Sequence, residues 1–176
     1  MSTRRHFMTQ SAAAASALAF PLVGGAQAKS VKVGVLHPVT GALAYSGQQC
    51  REGAMMAIED INKAGGILGR KVVGVVRDDQ GTPPKAIQNV QELIDSEKVS
   101  AIVGPANSGN ALAWLHIPQQ KKIPVVVPIG TATEITTRYA KEPQNYLYRI
   151  SMVDREQVAL LGAYAVKASK DKKIAI

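Results

Sequence analysis

The chain carries one cysteine, Cys50, among 176 residues. A lone thiol forms no intrachain disulfide and leaves no Cys-x-x-Cys pair for a structural zinc or a redox couple. Cys50 lies in a stretch that reads as helix, so a buried or half-buried structural thiol is expected. Histidine is nearly as scarce: His6, His37 and His116 stand far apart, without the spacing of metal ligands. Aromatic residues make up 5%, too few to interleave with basic residues as a base-stacking surface. There is no Gly-x-Ser-x-Gly elbow and no dinucleotide fingerprint. Internal repeats are absent, and the leader is the one stretch of low complexity. Beyond that leader no run is long and apolar enough to span a bilayer. With no catalytic set and no metal spacing, the chain reads as a binding protein without a cofactor and not as an enzyme.

What is present is globular. Hydrophobic residues make up 46% and charged residues 19%, enough apolar surface for one ordinary domain. The net charge of +8 first points to an acidic partner. Arg4 and Arg5 sit in a segment expected to be removed, which leaves 19 basic against 13 acidic residues, a net +6. The lysines are scattered apart from Lys121-Lys122 and the cluster from Lys170 to Lys173. A solvated basic surface is therefore expected, and no nucleic-acid partner.

The first 28 residues read as an export signal. Thr3-Arg4-Arg5-His6-Phe7-Met8 resembles the twin-arginine motif, and an Ala-rich apolar stretch follows from Ser11 to Val23. Ala26-Gln27-Ala28 supplies the small-x-small pattern of a signal peptidase site, placing cleavage between Ala28 and Lys29. Because Lys29 stands where a lipoprotein would have cysteine, the mature chain is expected to be freely soluble in the periplasm.

From Val31 strand and helix patterns alternate. Val31–Leu36, Lys71–Val76, Ala101–Val103 and Pro124–Val127 are short β-rich runs, and the last is expected to be buried on both faces. Between them, Gln48–Ala64 places Ala54, Met55, Ile58 and Ile61 at helical spacing, stopped by Gly65-Gly66. A second helix opens at Thr82-Pro83-Pro84, with Thr82 as its cap, and runs to about Glu97, burying Ile87, Val90, Leu93 and Ile94. A third spans about Asn110–Lys121. A less regular region covers Thr131–Pro143, followed by a strand at Tyr146–Arg149, a helix over Asp154–Ser169 and a last strand at Ile174–Ile176. That strand stops without a loop or cap, which reads as truncation. The fold class is α/β, a parallel sheet with helices on both faces, and ligands in such sheets bind beyond the carboxyl ends of the strands.

Three polar loops gather at that end. Gly104-Pro105-Ala106-Asn107-Ser108-Gly109-Asn110 joins a buried strand to a helix, and its amides and the Ser108 hydroxyl suit an anion. Gly104 and Gly109 stand five apart as in a phosphate loop, but Asn110-Ala111 replaces the Lys-Ser/Thr pair, so a carboxylate is the better guest. The plainer alternative is that Ser108 caps the helix. Pro128-Ile129-Gly130-Thr131-Ala132-Thr133 offers the Ile129 carbonyl and Thr131 hydroxyl to an ammonium and the Thr131 amide to a carboxylate. The third loop, Thr40–Gly47, contains Tyr45 and Ser46. Together they make a pocket for a zwitterion. Asp78-Asp79 looks like an acid pair, but neighbours on a strand face opposite ways, and loop capping is the expected role.

The mature chain resembles the branched-chain amino acid (Leu/Ile/Val) binding proteins of ABC transporters, which have the type I periplasmic binding fold. The resemblance rests on Val31-Lys32-Val33-Gly34, Thr40-Gly41, Ala57 through Ile67, Asp78-Asp79, Pro84-Lys85-Ala86, Ile102-Val103-Gly104 and Pro128 through Thr136. It implies a receptor that delivers a small ligand, an amino acid or related carboxylate, to an ABC permease in the inner membrane, acting as a monomer. It implies that Ser108 and the Thr131 amide hold the ligand carboxylate, and that the Ile129 carbonyl and Thr131 hydroxyl hold the ammonium. The residue covering the ligand side chain aligns to Ser46, where close relatives carry an aromatic, and Tyr45 is one position away. That departure leaves an amide or an organic acid open as the ligand. Gly81 and Asn107 stand where some members have a disulfide. By the same resemblance, residues 29–150 form the first lobe, completed in the family by a segment returning from later in the chain, and residues 151–176 begin a second lobe. A DNA-binding regulator of similar sensor fold would need a helix-turn-helix where the leader lies. An inactive truncated product is the remaining alternative.

Overall fold

The computed structural model describes residues 29–169. The leader with Arg4, Arg5 and Ala28, and the strand expected at Ile174–Ile176, lie outside the described residues.

Five parallel strands form one sheet in the order β2-β1-β3-β4-β5: β1 (Val31–His37), β2 (Val72–Asp78), β3 (Ala101–Val103), β4 (Val125–Val127) and β5 (Leu147–Arg149). The helices are α1 (Ala44–Lys63), α2 (Pro83–Gln91), α3 (Ser108–Trp114), α4 (His116–Lys121), α5 (Glu134–Thr137) and α6 (Asp154–Ala168). After β1 the chain first moves outward to β2, then crosses back to β3 on the other side. Since parallel crossovers are right-handed, this reversal puts α1 on one face and α2 to α4 on the other. The core divides accordingly. Val35, Ile58 and Val72 pack on the α1 side, whereas Leu36, Val90, Leu93, Ile102, Trp114, Leu115, Val125 and Val127 form the larger cluster opposite.

The structure departs from the sequence expectation at several points. α1 starts at Ala44, not Gln48, and so takes Tyr45 and Ser46 out of the loop and into its first turn. Gly47 permits this: a Cβ there would lie 2.1 Å from the Pro38 carbonyl oxygen, against which the helix start is packed. Of the expected stripe on α1 only Ile58 is buried, Ala54 and Met55 are half-buried, and Ile61 is exposed. Thr82 occupies the cap position of α2 but makes no cap bond; its hydroxyl donates to the Asp79 carbonyl at 3.4 Å instead. Beyond Gln91 the helix widens into a π turn, Glu92–Ser96, closed by Glu97 N–H donating to the Glu92 carbonyl. The third helix is two helices that meet at Leu115. Pro118 has no N–H for the Trp114 carbonyl, and its ring crowds that oxygen. β4 is not buried on both faces: Val125 and Val127 are inaccessible, but Val126 is half-buried. It shares its face with Tyr148 of β5, which is exposed, because α1 covers β1 and β2 only. Gly65 and Gly66 end α1 at positive φ, as expected.

Candidate ligand-binding site

The strand order reverses at β1, so the loops leaving β1 and β3 diverge and open a crevice at their carboxyl ends. The first loop is held by Asp78 at the end of β2. Its carboxylate accepts from the Val39 amide (3.0 Å), the Thr40 amide (3.4 Å), the Thr40 hydroxyl (2.5 Å) and the Gln80 amide (2.9 Å). Burial works to raise the Asp78 carboxyl, but these bonds outweigh it and hold it below the usual carboxylate range. Asp79 points the other way, accepts from the Gly81 amide at 2.9 Å and is fully buried. Burial pushes its carboxyl up, and the neighbouring Asp78 adds to the effect against the Gly81 and Asn110 contacts. The pair thus shapes loops, as the alternation along a strand requires. Burial also pushes up the half-buried Cys50 thiol.

The second loop leaves β3 through Gly104, at φ 140°, where a Cβ would lie 1.9 Å from the Leu36 carbonyl oxygen. Only glycine lets the chain pass so close to β1. The cap of α3 is Asn107, whose side chain accepts from the Asn110 amide at 2.8 Å. Ser108 is therefore not the cap. Its Oγ instead accepts from the amides of Thr131 (3.0 Å) and Ala132 (3.2 Å), tying the β3 loop to the β4 loop. A serine hydroxyl has two lone pairs and one proton. Both lone pairs are occupied, and among the described residues the proton has no protein acceptor.

The third loop, Pro128–Thr133, brings the remaining sequence-nominated residues beside Ser108. The Ile129 carbonyl and the Thr131 hydroxyl are without a hydrogen-bond partner among the described residues, and Gly130 is buried between them. Tyr45 and Ser46 sit on the exposed first turn of α1, with Tyr45 81% accessible. The Thr131 amide, nominated for a carboxylate, is turned to Ser108. That leaves the Ser108 hydroxyl as the group on these two loops whose proton is unassigned. A groove of about 760 Å³ between α1 and the outer edge of β2, lined by Met55, Met56, Ile58 and Val72, lies away from these loops. Among the described residues no cluster of His, Cys, Asp or Glu could hold a metal, and no helix is long and apolar enough to cross a membrane.

Three residues behind the site went unnoticed in the sequence. Arg149 Nη1 donates to the carbonyls of Thr131 and Ala132, both at 2.9 Å, and its Nη2 to the Thr136 hydroxyl at 3.1 Å. Ser151 Oγ donates to the Gly130 carbonyl at 2.9 Å, and the Asp154 amide to the Thr131 carbonyl at 2.9 Å. The only signal for Arg149 was a charge at the carboxyl end of a strand; the loop it serves lies 18 residues earlier.

Residues 30–176 match the family model described as periplasmic binding protein. The chain belongs to the periplasmic binding protein family. It is 32% identical over 146 residues to the Leu/Ile/Val-binding protein BraC3 of Rhizobium johnstonii, covering 83% of this chain and 38% of the relative. To the leucine-, isoleucine-, valine-, threonine- and alanine-binding protein of Pseudomonas aeruginosa it is 34% identical over 149 residues, covering 85% of this chain and 39% of that one. Among solved structures it is similar to the branched-chain amino acid substrate-binding protein LivJ of Streptococcus pneumoniae in complex with isoleucine. The TM-score is 0.72 and the identity 29%, over 79% of this chain and 38% of that one. A solute-binding protein of Rhodopseudomonas palustris in complex with 3,4-dihydroxybenzoic acid gives a TM-score of 0.67 at 30% identity, over 78% and 36% of the two chains. The chain thus spans about 38% of the length of such relatives, and its sheet is the first lobe of the type I periplasmic binding fold.

Proposed function

We propose that this chain is the ligand-binding first lobe of an exported solute receptor that delivers an α-amino acid, or a related small carboxylate, to an ABC permease. It binds its ligand without chemical turnover and acts as a monomer. The observation that carries this reading is the Ser108 hydroxyl. Held by two amides, it has its proton left over, beside the unpartnered Ile129 carbonyl and Thr131 hydroxyl. One donor flanked by two acceptors suits a carboxylate next to an ammonium. The lobe boundary falls near Ile150, and the half-open face of β3 to β5 is where a segment returning from the second lobe would pack. Ser46, in place of an aromatic, supports a second reading in which the ligand is an organic acid, as in the dihydroxybenzoate-bound relative.

Calorimetry on the protein as its gene encodes it, with the common L-amino acids and with aromatic and aliphatic acids, tests both. Binding of an amino acid in its zwitterionic form supports the first reading. Binding of acids that have no amino group, with no response to amino acids, supports the second, and silence to all of them sinks both. Export is tested separately by replacing Arg4 and Arg5 with Lys. Loss of the protein from the periplasmic fraction is expected, and normal delivery would favour general secretion.

A further inference from the structure

The two peptide units between Gly130 and Ala132 have an unusual hydrogen-bonding balance. In the first, Gly130 to Thr131, the carbonyl accepts from Ser151 Oγ at 2.9 Å while the N–H donates to Ser108 Oγ at 3.0 Å. In the second, Thr131 to Ala132, the carbonyl accepts from Arg149 Nη1 and from the Asp154 amide, each at 2.9 Å, while the N–H donates to Ser108 Oγ at 3.2 Å. Each peptide is therefore a relay with a donor behind it and Ser108 in front. Hydrogen bonds in such chains polarise one another: a donor on the carbonyl makes the N–H of the same peptide a stronger donor. The Arg149 donor is a full cation, so its effect exceeds that of a neutral group.

Both relays converge on one oxygen. An oxygen that accepts two strengthened N–H bonds loses electron density and holds its own proton less tightly, which makes the O–H a better donor to an anion. We infer that Arg149 and Ser151 are positioning residues which, through the Gly130–Ala132 peptides, tune Ser108 to prefer a charged carboxylate over a neutral amide of the same shape. The gain is selective because an ionised acceptor responds more to donor strength than a neutral one. The same segment, Arg149 to Asp154, leads out of the sheet into α6. The groups that set the donor strength of Ser108 thus lie on the chain leaving the lobe.

This inference rests on the functional reading above, and the test separates the two. The common L-amino acids and the α-amide of the tightest binder are titrated by competition into wild type, Ser151→Ala, Arg149→Met and Arg149→Lys. The preference for acid over amide is expected to narrow about threefold in Ser151→Ala and about tenfold in Arg149→Met, with affinity for the amide nearly unchanged. Arg149→Lys is expected to recover part of the preference, because an ammonium can still donate to one of the two carbonyls. A parallel loss for acid and amide would mean that these residues merely hold the loop, and it would overturn the inference alone. An unchanged preference would do the same. Should Arg149→Met fail to show a cooperative thermal transition, Ser151→Ala decides the matter, since it removes one hydroxyl and no charge. Failure of the wild-type protein to bind any amino acid would overturn the functional reading and this inference with it.

Discussion

His37 ends β1 with its ring inside the protein, 1% exposed, and with no hydrogen-bond partner for either nitrogen. Burial lowers its pKa from 6.5 to about 4. Between those values the unfolded chain binds a proton that the folded chain refuses, so stability falls as the pH drops through this window. A shift of that size is worth about 3 kcal/mol by pH 4. Urea melts from pH 7 to pH 4 are expected to show this decline in wild type and a flatter one in His37→Leu. The leucine variant should lose little at pH 7, where it replaces two unsatisfied nitrogens with apolar atoms. Asp78 acts further down the pH scale. Its folded pKa is depressed, so its contribution is present above the ordinary carboxylate value and lost as pH falls through the lower folded one. At Ser108 the expected consequence concerns ligand: Ser108→Ala should weaken binding by about 1.5–3 kcal/mol, the range for a hydrogen bond to a charged group. An unchanged affinity by calorimetry would remove Ser108 from the site.

At the scale of elements, the start of α1 and the start of α3 determine where the loops sit. Asn107 satisfies the Asn110 amide at the head of α3, one residue before Ser108. Asn107→Ala should cost about 1 kcal/mol in denaturant unfolding, the usual value of a lost cap. If Ser108 were the cap, that variant would be nearly silent. Gly47 presents a steeper case, since the Pro38 carbonyl lies where a side chain would begin. Gly47→Ala should therefore destabilise by about 1–3 kcal/mol, the cost of overpacking, and should shift the first turn of α1 that carries Tyr45 and Ser46. The ion pairs joining β1, β2 and the π turn, Lys32 to Glu97 at 2.9 Å and Arg77 to Glu92 at 2.7 Å and Glu97 at 3.0 Å, are partly exposed. Such pairs contribute little to stability.

For the molecule as a whole, α6 is the anomaly. None of its residues is buried, and Val158, Leu160, Leu161 and Tyr164 are each about two-thirds or more accessible. Ile150 and Met152, just before it, are exposed as well. The chain spans about 38% of the length of its relatives, and exposed apolar side chains in this number are a surface for further packing. A chain of residues 29–169 is expected to bind a fluorescent apolar dye and to elute as larger species. One ending at Ile150 should do so less, because it lacks that surface. Equal dye binding by the two would show that the exposed apolar residues of the sheet face, and not α6, are responsible.

Most of the architecture was legible in the linear chain. β-branched runs alternating with helical spacing specify a parallel α/β sheet, and the glycine stop after α1 could be read from composition because its physics is local. The candidate site, as a cluster of loops at the strand ends, was legible in part. Ser108, Ile129, Gly130 and Thr131 follow strand ends, and that placement follows from chain order alone. What only the tertiary structure decided are the contacts between segments distant in sequence. Asn107 takes the cap and frees Ser108, Gly47 slides under Pro38 and draws Tyr45 and Ser46 into α1, and α1 reaches β1 and β2 but not β4. Arg149 and Ser151 reach back 17 to 21 residues to the β4 loop. Periodicity reports which face a residue takes within its own element. Which carbonyl a distant arginine meets depends on how the strands are ordered and how close the backbones come, and those distances exist only in the folded chain.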